Sequence, residues 1–125
     1  MSEFKLKQLQ YESDTWKRTL GFMIDENIRL KHRITEILKN GFDKNQLEAV
    51  EEFQNSFIKE DELIYLMRNE VSEFDKLIVR EIFEDGQIVN DVYKKLNQLR
   101  HNITVAEGQF NKLKHEFNHY LLSSM

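Results

Sequence analysis

The sequence contains no cysteine and no proline, and only four of its 125 residues are glycine. Without cysteine, the chain has no disulfide, no thiol nucleophile and no Cys-ligated zinc or iron–sulfur centre. Proline breaks helix interiors because it removes a backbone donor and clashes with the preceding turn. At ordinary usage, a chain of this length carries roughly six prolines. The shortage of both helix breakers predicts long, uninterrupted helices.

The sequence also lacks a long apolar run and a surplus of basic charge. No stretch approaches the ~20 apolar residues of a membrane span, and the first residues do not resemble a secretory signal peptide. The net charge is −4, from 18 Lys and Arg against 22 Asp and Glu, whereas nucleic-acid-binding proteins usually carry excess positive charge. We therefore expect a cytoplasmic protein that binds neither membranes nor nucleic acids.

Apolar residues instead recur at alternating steps of three and four along three segments, which is the heptad pattern of packed helices. We call these positions the seam. The first segment of the seam contains Leu6, Leu9, Ser13, Trp16, Leu20, Met23, Asn27, Leu30, Ile34 and Ile37. The second contains Val50, Phe53, Phe57, Glu60, Ile64, Met67, Val71, Phe74 and Ile78. The third contains Val89, Val92, Leu96, Leu99, Ile103, Ala106, Phe110, Leu113, Phe117 and Tyr120.

Helix stop and start signals separate these segments at two places. Gly41 and Gly86 each follow a periodic segment, as expected of left-handed residues that end a helix. Asp43, with Gln46 three residues later, has the spacing of a capping box at a helix start. No period-two alternation is sustained, so the sequence predicts an all-α protein without a β-sheet.

The predicted fold is an up-down-up bundle of three long antiparallel helices at about 3–39, 43–84 and 88–122, in a single domain spanning residues 1–125. The alternative is a four-helix bundle in which the second segment breaks near 59–62, with Asp61 as the N-cap.

The seam predicts which residues share a layer, because antiparallel partners across a turn have a constant sum of residue numbers. This rule pairs Trp16 with Met67 and Met67 with Ala106, so that a large side chain lies beside a small one. It also pairs Phe57 with Phe117. The middle segment is acidic and its two neighbours are mildly basic, which favours the same antiparallel arrangement.

A seam tryptophan, Trp16, in a rod of three long helices resembles the spectrin-type three-helix repeat. The chain is also similar to small uncharacterised all-helical proteins of bacterial genomes. Both resemblances are architectural, and they imply a helical bundle without assigning an activity.

Residues that could carry chemistry are few. The four histidines, His32, His101, His115 and His119, all fall off the seam. His115 and His119 have zinc-ligand spacing but no fixed third ligand, and a Glu-x-x-His motif occurs once, at Glu116. We therefore expect no metal, no cofactor and no enzymatic activity, and we keep a metal-dependent enzyme as the third hypothesis.

Two polar residues, Asn27 and Glu60, occupy adjacent layers of the seam. An isolated buried carboxylate is costly, so Glu60 is expected to find a partner or to have a raised pKa. One interpretation is a polar core layer that fixes the helix register, as buried Asn does in coiled coils. The other is a small pocket that binds a polar ligand.

Apolar side chains off the seam indicate an interface. They are Phe22, Ile28, Ile58, Tyr65, Leu66 and Val79. Gly21 and Gly108 also face outward, where another helix could approach. We expect a homodimer or a helical protein partner; alternatively, a wider core buries these side chains.

The first functional hypothesis is a non-enzymatic protein–protein interaction or scaffold module, and the second is a small-ligand-binding bundle.

Overall fold

The computed structural model describes residues 3–41, 43–84 and 89–124, and these residues form three long α-helices. They are α1 (Glu3–Lys39), α2 (Lys44–Glu84) and α3 (Val89–Ser124). The described residues contain no strand. The predicted three-helix bundle is therefore confirmed. The four-helix alternative is wrong, because α2 continues without a break through residues 59–62.

The turn between α1 and α2 has the predicted chemistry. Gly41 has a φ of 80°, a left-handed backbone conformation that is strained for a residue with a side chain and that glycine adopts readily. The carboxylate of Asp43 accepts a hydrogen bond from the backbone N–H of Gln46 at 2.9 Å, so Asp43 is the N-cap of α2. The second predicted stop, at Gly86, lies outside the described residues.

The seam is the core of the bundle. Most seam side chains of the described residues are buried, including the two polar residues Ser13 and Asn27, which have no exposed surface. Five seam residues are only partly buried: Leu6, Phe53, Glu60, Leu113 and Tyr120. The core is also wider than the seam, because further apolar residues pack against it. These are Ile24, Leu38, Leu63, Leu77 and Leu121.

Aromatic contacts show how the layers stack. The rings of Phe57 and Phe117 meet edge to face with centroids 5.4 Å apart, so this predicted pair is confirmed. The Trp16 ring packs against Phe74 at 5.5 Å, one heptad along α2 from Met67. Trp16, Met67 and Ala106 are all buried, and their mutual contact stays a prediction.

Candidate functional site

The buried Asn27 is bound to α2 through its side-chain amide. Its Nδ2 group donates one hydrogen bond to the backbone carbonyl of Phe57 at 3.0 Å and another to Oδ1 of Asp61. The second carboxylate oxygen of Asp61 accepts from Nζ of Lys31. Lys31 lies one helical turn after Asn27 on α1. Asp61 therefore joins a buried amide and a half-exposed ammonium group across the α1–α2 interface.

The same arrangement occurs a second time, two heptads away. Oγ of the buried Ser13 donates to Oδ1 of Asp75 at 2.5 Å, and Lys17 forms an ion pair with Oδ2 of the same carboxylate. Ser13 and Asn27 are fourteen residues apart, as are their α2 partners. We call these two groups the Asp61 triad (Asn27, Lys31, Asp61) and the Asp75 triad (Ser13, Lys17, Asp75).

The α1–α3 interface has a matching repeat. Glu12 accepts two hydrogen bonds from Arg100, at 2.6 and 2.8 Å. Glu26, fourteen residues later, forms an ion pair with Lys114 at 3.1 Å and also accepts from Arg29. The hydrogen bond from Arg29, with a further contribution from Lys114, lowers the pKa of Glu26 to about 2. Ion pairs therefore hold α1 in one register against both neighbours.

Glu60 stands apart from these ion pairs. Its side chain is partly buried, and burial raises the pKa of its carboxyl group. Among the described residues, Oε2 of Glu60 and Oδ1 of Asn27 are the buried side-chain oxygens that lack a hydrogen-bond partner. Each of these oxygens can accept a hydrogen bond that no group among the described residues donates. The predicted polar residues thus lie at the core, while the bonded partner of Asn27 is Asp61.

The four histidines are all exposed on the outer faces of the helices. His32 is near Glu36, one turn later on α1, at 3.1 Å. In the part of the chain that the structure describes, no group of three or more His, Cys, Asp and Glu side chains is placed to hold a metal ion.

The six predicted interface residues are all exposed: Phe22, Ile28, Ile58, Tyr65, Leu66 and Val79. Phe22 and Ile28 belong to α1, and the other four belong to α2. Phe22 lies in a groove between α1 and α3, beside Met23 and Phe110. The four on α2 recur at outward heptad positions of that helix.

Further exposed apolar residues were not singled out from the sequence. They are Tyr11, Leu47, Tyr93, Val105 and Leu122. The Arg18 guanidinium lies over the ring of Tyr11, 5.9 Å from its centroid, so this aromatic surface is partly occupied by the chain itself. Gly21 lines another groove, between α1 and α2, with Arg68 and Ser72 on the opposite side. A Cβ atom at Gly21 would meet nothing within 4 Å, and this groove is therefore open.

Comparison of the chain with models of known families, with curated proteins and with solved structures found no match. Across the described ranges, no helix combines the length and apolarity that crossing a membrane requires.

Proposed function

We propose that the chain is a non-enzymatic, cytoplasmic scaffold module that binds a helical protein partner in the groove between α1 and α3. The observation that supports this proposal most directly is the exposure of Phe22 in that groove. The Phe22 side chain is 72% exposed in a groove that Met23 and Phe110 also line. An exposed aromatic side chain next to buried apolar ones is typical of a protein-binding hot spot.

The packing of the bundle supports the same groove. α1 packs extensively against α2 and much less against α3, so a helix laid between α1 and α3 would contact Phe22, the exposed apolar side chain of a groove whose other exposed residues are polar or charged. Arg29, Glu107 and Lys114 lie at the same groove. An amphipathic helix with apolar residues at steps of three and four, flanked by charges, has the pattern that binds such a groove.

The test is affinity capture from lysate of the source cells, with chemical cross-linking and mass spectrometry. We expect a protein that the wild-type chain retains and that cross-links to Lys114, a lysine of this groove. Phe22→Ser should lose that protein. The matched control is Val105→Ser, which removes an exposed apolar side chain of α3 that lines a different groove.

The proposal fails if every retained protein binds Phe22→Ser as well as it binds the wild type. Circular dichroism of each variant shows whether the bundle is intact, so that loss of capture is not confused with unfolding.

A second candidate function is the binding of a small polar ligand in the core. The observation that favours it is the pair of buried acceptors without a donor, Oδ1 of Asn27 and Oε2 of Glu60. A ligand with several N–H groups, such as a small ammonium ion, is the chemical class that satisfies both. Ammonium chloride should then raise the Tm of the wild type above its value in sodium chloride at equal concentration. It should leave the Tm of Asn27→Leu/Glu60→Leu unchanged, and equal Tm values in both salts would exclude this function.

A further inference from the structure

A strip of exposed side chains runs along the outward face of α2, a helix that does not line the groove containing Phe22. Its apolar members are Ile58, Tyr65, Leu66 and Val79, and its charged members are Glu52, Lys59, Glu62, Glu73, Lys76 and Arg80. All ten are exposed. We call them the α2 strip. Five of the eleven large apolar side chains exposed on the described residues belong to α2, and four of those five are in this strip.

Four of the six charged members of the α2 strip occupy mirrored positions about Leu66 and carry opposite charges. Lys59 and Glu73 are each seven residues from Leu66 and carry opposite charges. Glu52 and Arg80 are each fourteen residues away and also carry opposite charges. All five positions are separated by whole heptads, so they follow a shallow stripe on the helix surface that drifts by about 20° per heptad.

These four charges are complementary to those of a second copy in one orientation, in which Glu62 faces Glu70 and Lys76 faces Ser56. When two α2 helices lie antiparallel with their Leu66 side chains opposite, each Lys59 faces a Glu73, which also pairs with Lys76 of its own helix at 3.3 Å. Each Glu52 faces an Arg80, which also interacts within its own chain. A parallel pair in the same register would place like charges opposite each other, which is unfavourable. Leu66 supplies apolar surface at the centre of the antiparallel pair, beside the Tyr65 ring, over which the Arg68 guanidinium lies 5.8 Å from the ring centroid.

We infer that the α2 strip binds a second copy of the chain, as an antiparallel pair of α2 helices with its two-fold axis at Leu66. This inference rests on the proposed function, that of an interaction module. It names a second copy of the chain as the partner of the α2 strip, which is separate from the groove between α1 and α3. A two-fold contact between identical patches is the commonest way in which chains form dimers.

The small size of the strip is typical of a weak, transient interface. Residues 52–80 span about 42 Å at ~1.5 Å per residue, and one helix face is roughly 10 Å wide. This area is smaller than the ~800 Å² per partner of standard stable interfaces. The dimer therefore dissociates on dilution, with a measurable monomer–dimer equilibrium.

Sedimentation equilibrium of the full chain tests the dimer. We expect the wild type to shift, with increasing concentration, from the 15.1 kDa chain mass to twice that mass. Leu66→Glu places two carboxylates at the axis and should raise the Kd at least tenfold, about 1.4 kcal/mol. Phe22→Glu, which changes the other face, should leave the Kd unchanged. A wild type that stays monomeric at millimolar concentration, or a Leu66→Glu chain that dimerises as the wild type does, overturns the inference.

Cross-linking tests the orientation, and the absence of native cysteine makes it simple. In the antiparallel pair, residue 59 of one copy lies opposite residue 73 of the other and about 21 Å from residue 59. Under mild oxidation, a mixture of Lys59→Cys and Glu73→Cys chains should form the mixed disulfide, and either chain alone should form little dimer. Equal self-cross-linking of Lys59→Cys overturns the antiparallel arrangement.

The two proposals fail separately. A monomeric chain whose cellular partner is lost in Phe22→Ser overturns the dimer and supports the interaction module. A cellular protein that binds the α2 strip while the chain alone remains monomeric also overturns self-association. A dimer that depends on Leu66, with no cellular protein dependent on Phe22, supports the inference and contradicts the groove as a partner site.

Discussion

Asn27 of α1 donates a hydrogen bond from its buried amide to Asp61 of α2. This contact belongs to a pattern, since Ser13 and Asp75 make the corresponding bond two heptads away. In each case a lysine one turn further along α1 pairs with the same aspartate. A shift of one helix by a single turn would separate all of these groups. The two triads therefore fix the register between α1 and α2.

Removal of Asp61 should destabilise the bundle more than removal of its exposed neighbour. Asp61→Ala takes the partner from a buried amide donor and from Lys31. The expected loss is about 1–3 kcal/mol of unfolding free energy, the usual cost of a buried polar group left unpaired. Glu62→Ala, the matched control, should change the free energy by less than about 0.5 kcal/mol. Urea unfolding followed by circular dichroism measures both.

Replacement of both Asn27 and Asp61 by leucine should lower the free energy of unfolding less than Asp61→Ala does. Asn27→Leu/Asp61→Leu removes both the amide donor and its carboxylate acceptor, and apolar replacement of a paired buried group is often nearly neutral. The double variant should still be less specific in register, which broadens its NMR spectrum. A double variant less stable than Asp61→Ala would contradict the register interpretation of this pair.

Glu60 should make stability fall as the pH rises. Its folded-state pKa is raised by burial, so the folded protein binds a proton more tightly than the unfolded chain does. The resulting stabilisation is complete below the unfolded pKa of about 4.5 and is lost as the pH rises through the folded pKa. Glu60→Gln stays neutral, so it should gain stability relative to the wild type between about pH 4 and pH 7. The raised pKa of Glu60 would be contradicted if the stability difference between Glu60→Gln and the wild type were the same at both pH values.

Glu26 should make stability fall as the pH is lowered, which is the opposite of the effect of Glu60. Its pKa is lowered to about 2 by the hydrogen bond from Arg29 and by Lys114. The stabilisation is therefore present above the unfolded pKa of about 4.5 and is lost as the pH falls toward 2. Glu26→Gln should be less stable than the wild type by about 1 kcal/mol near neutral pH, a value kept small because its partners are partly exposed. The two proteins should converge near pH 2, and a constant difference down to that pH would refute the assignment.

The seam could be predicted from the sequence because burial itself produces the heptad period. Asn27 was therefore placed correctly in the core, but its partner Asp61 lies at a flanking position whose side chain must reach inward to bond. One signal was present: the spacing of fourteen residues separates Ser13 from Asn27 and also Asp61 from Asp75. This shared spacing indicates two equivalent polar contacts between antiparallel helices.

The division of the exposed apolar residues into separate faces could not be predicted. The heptad pattern shows that Phe22 and Leu66 point away from the seam. It does not show on which side of α1 the third helix lies, because both hands of a three-helix bundle satisfy the same pattern. The ion pairs settle this point, since Lys17 meets α2 and Glu12 meets α3. Phe22 consequently lies toward α3.

The arrangement of the three helices underlies every site described above, and the contact between Trp16 and Phe74 tests it most directly. Trp16 is the one tryptophan of the chain, and its ring lies 5.5 Å from that of Phe74. Nuclear Overhauser spectra of the protein with labelled phenylalanine rings should contain cross-peaks between the Trp16 indole and one phenylalanine. These peaks should disappear in Phe74→Leu. Indole cross-peaks that persist unchanged in Phe74→Leu would place α1 in a different register and contradict the account.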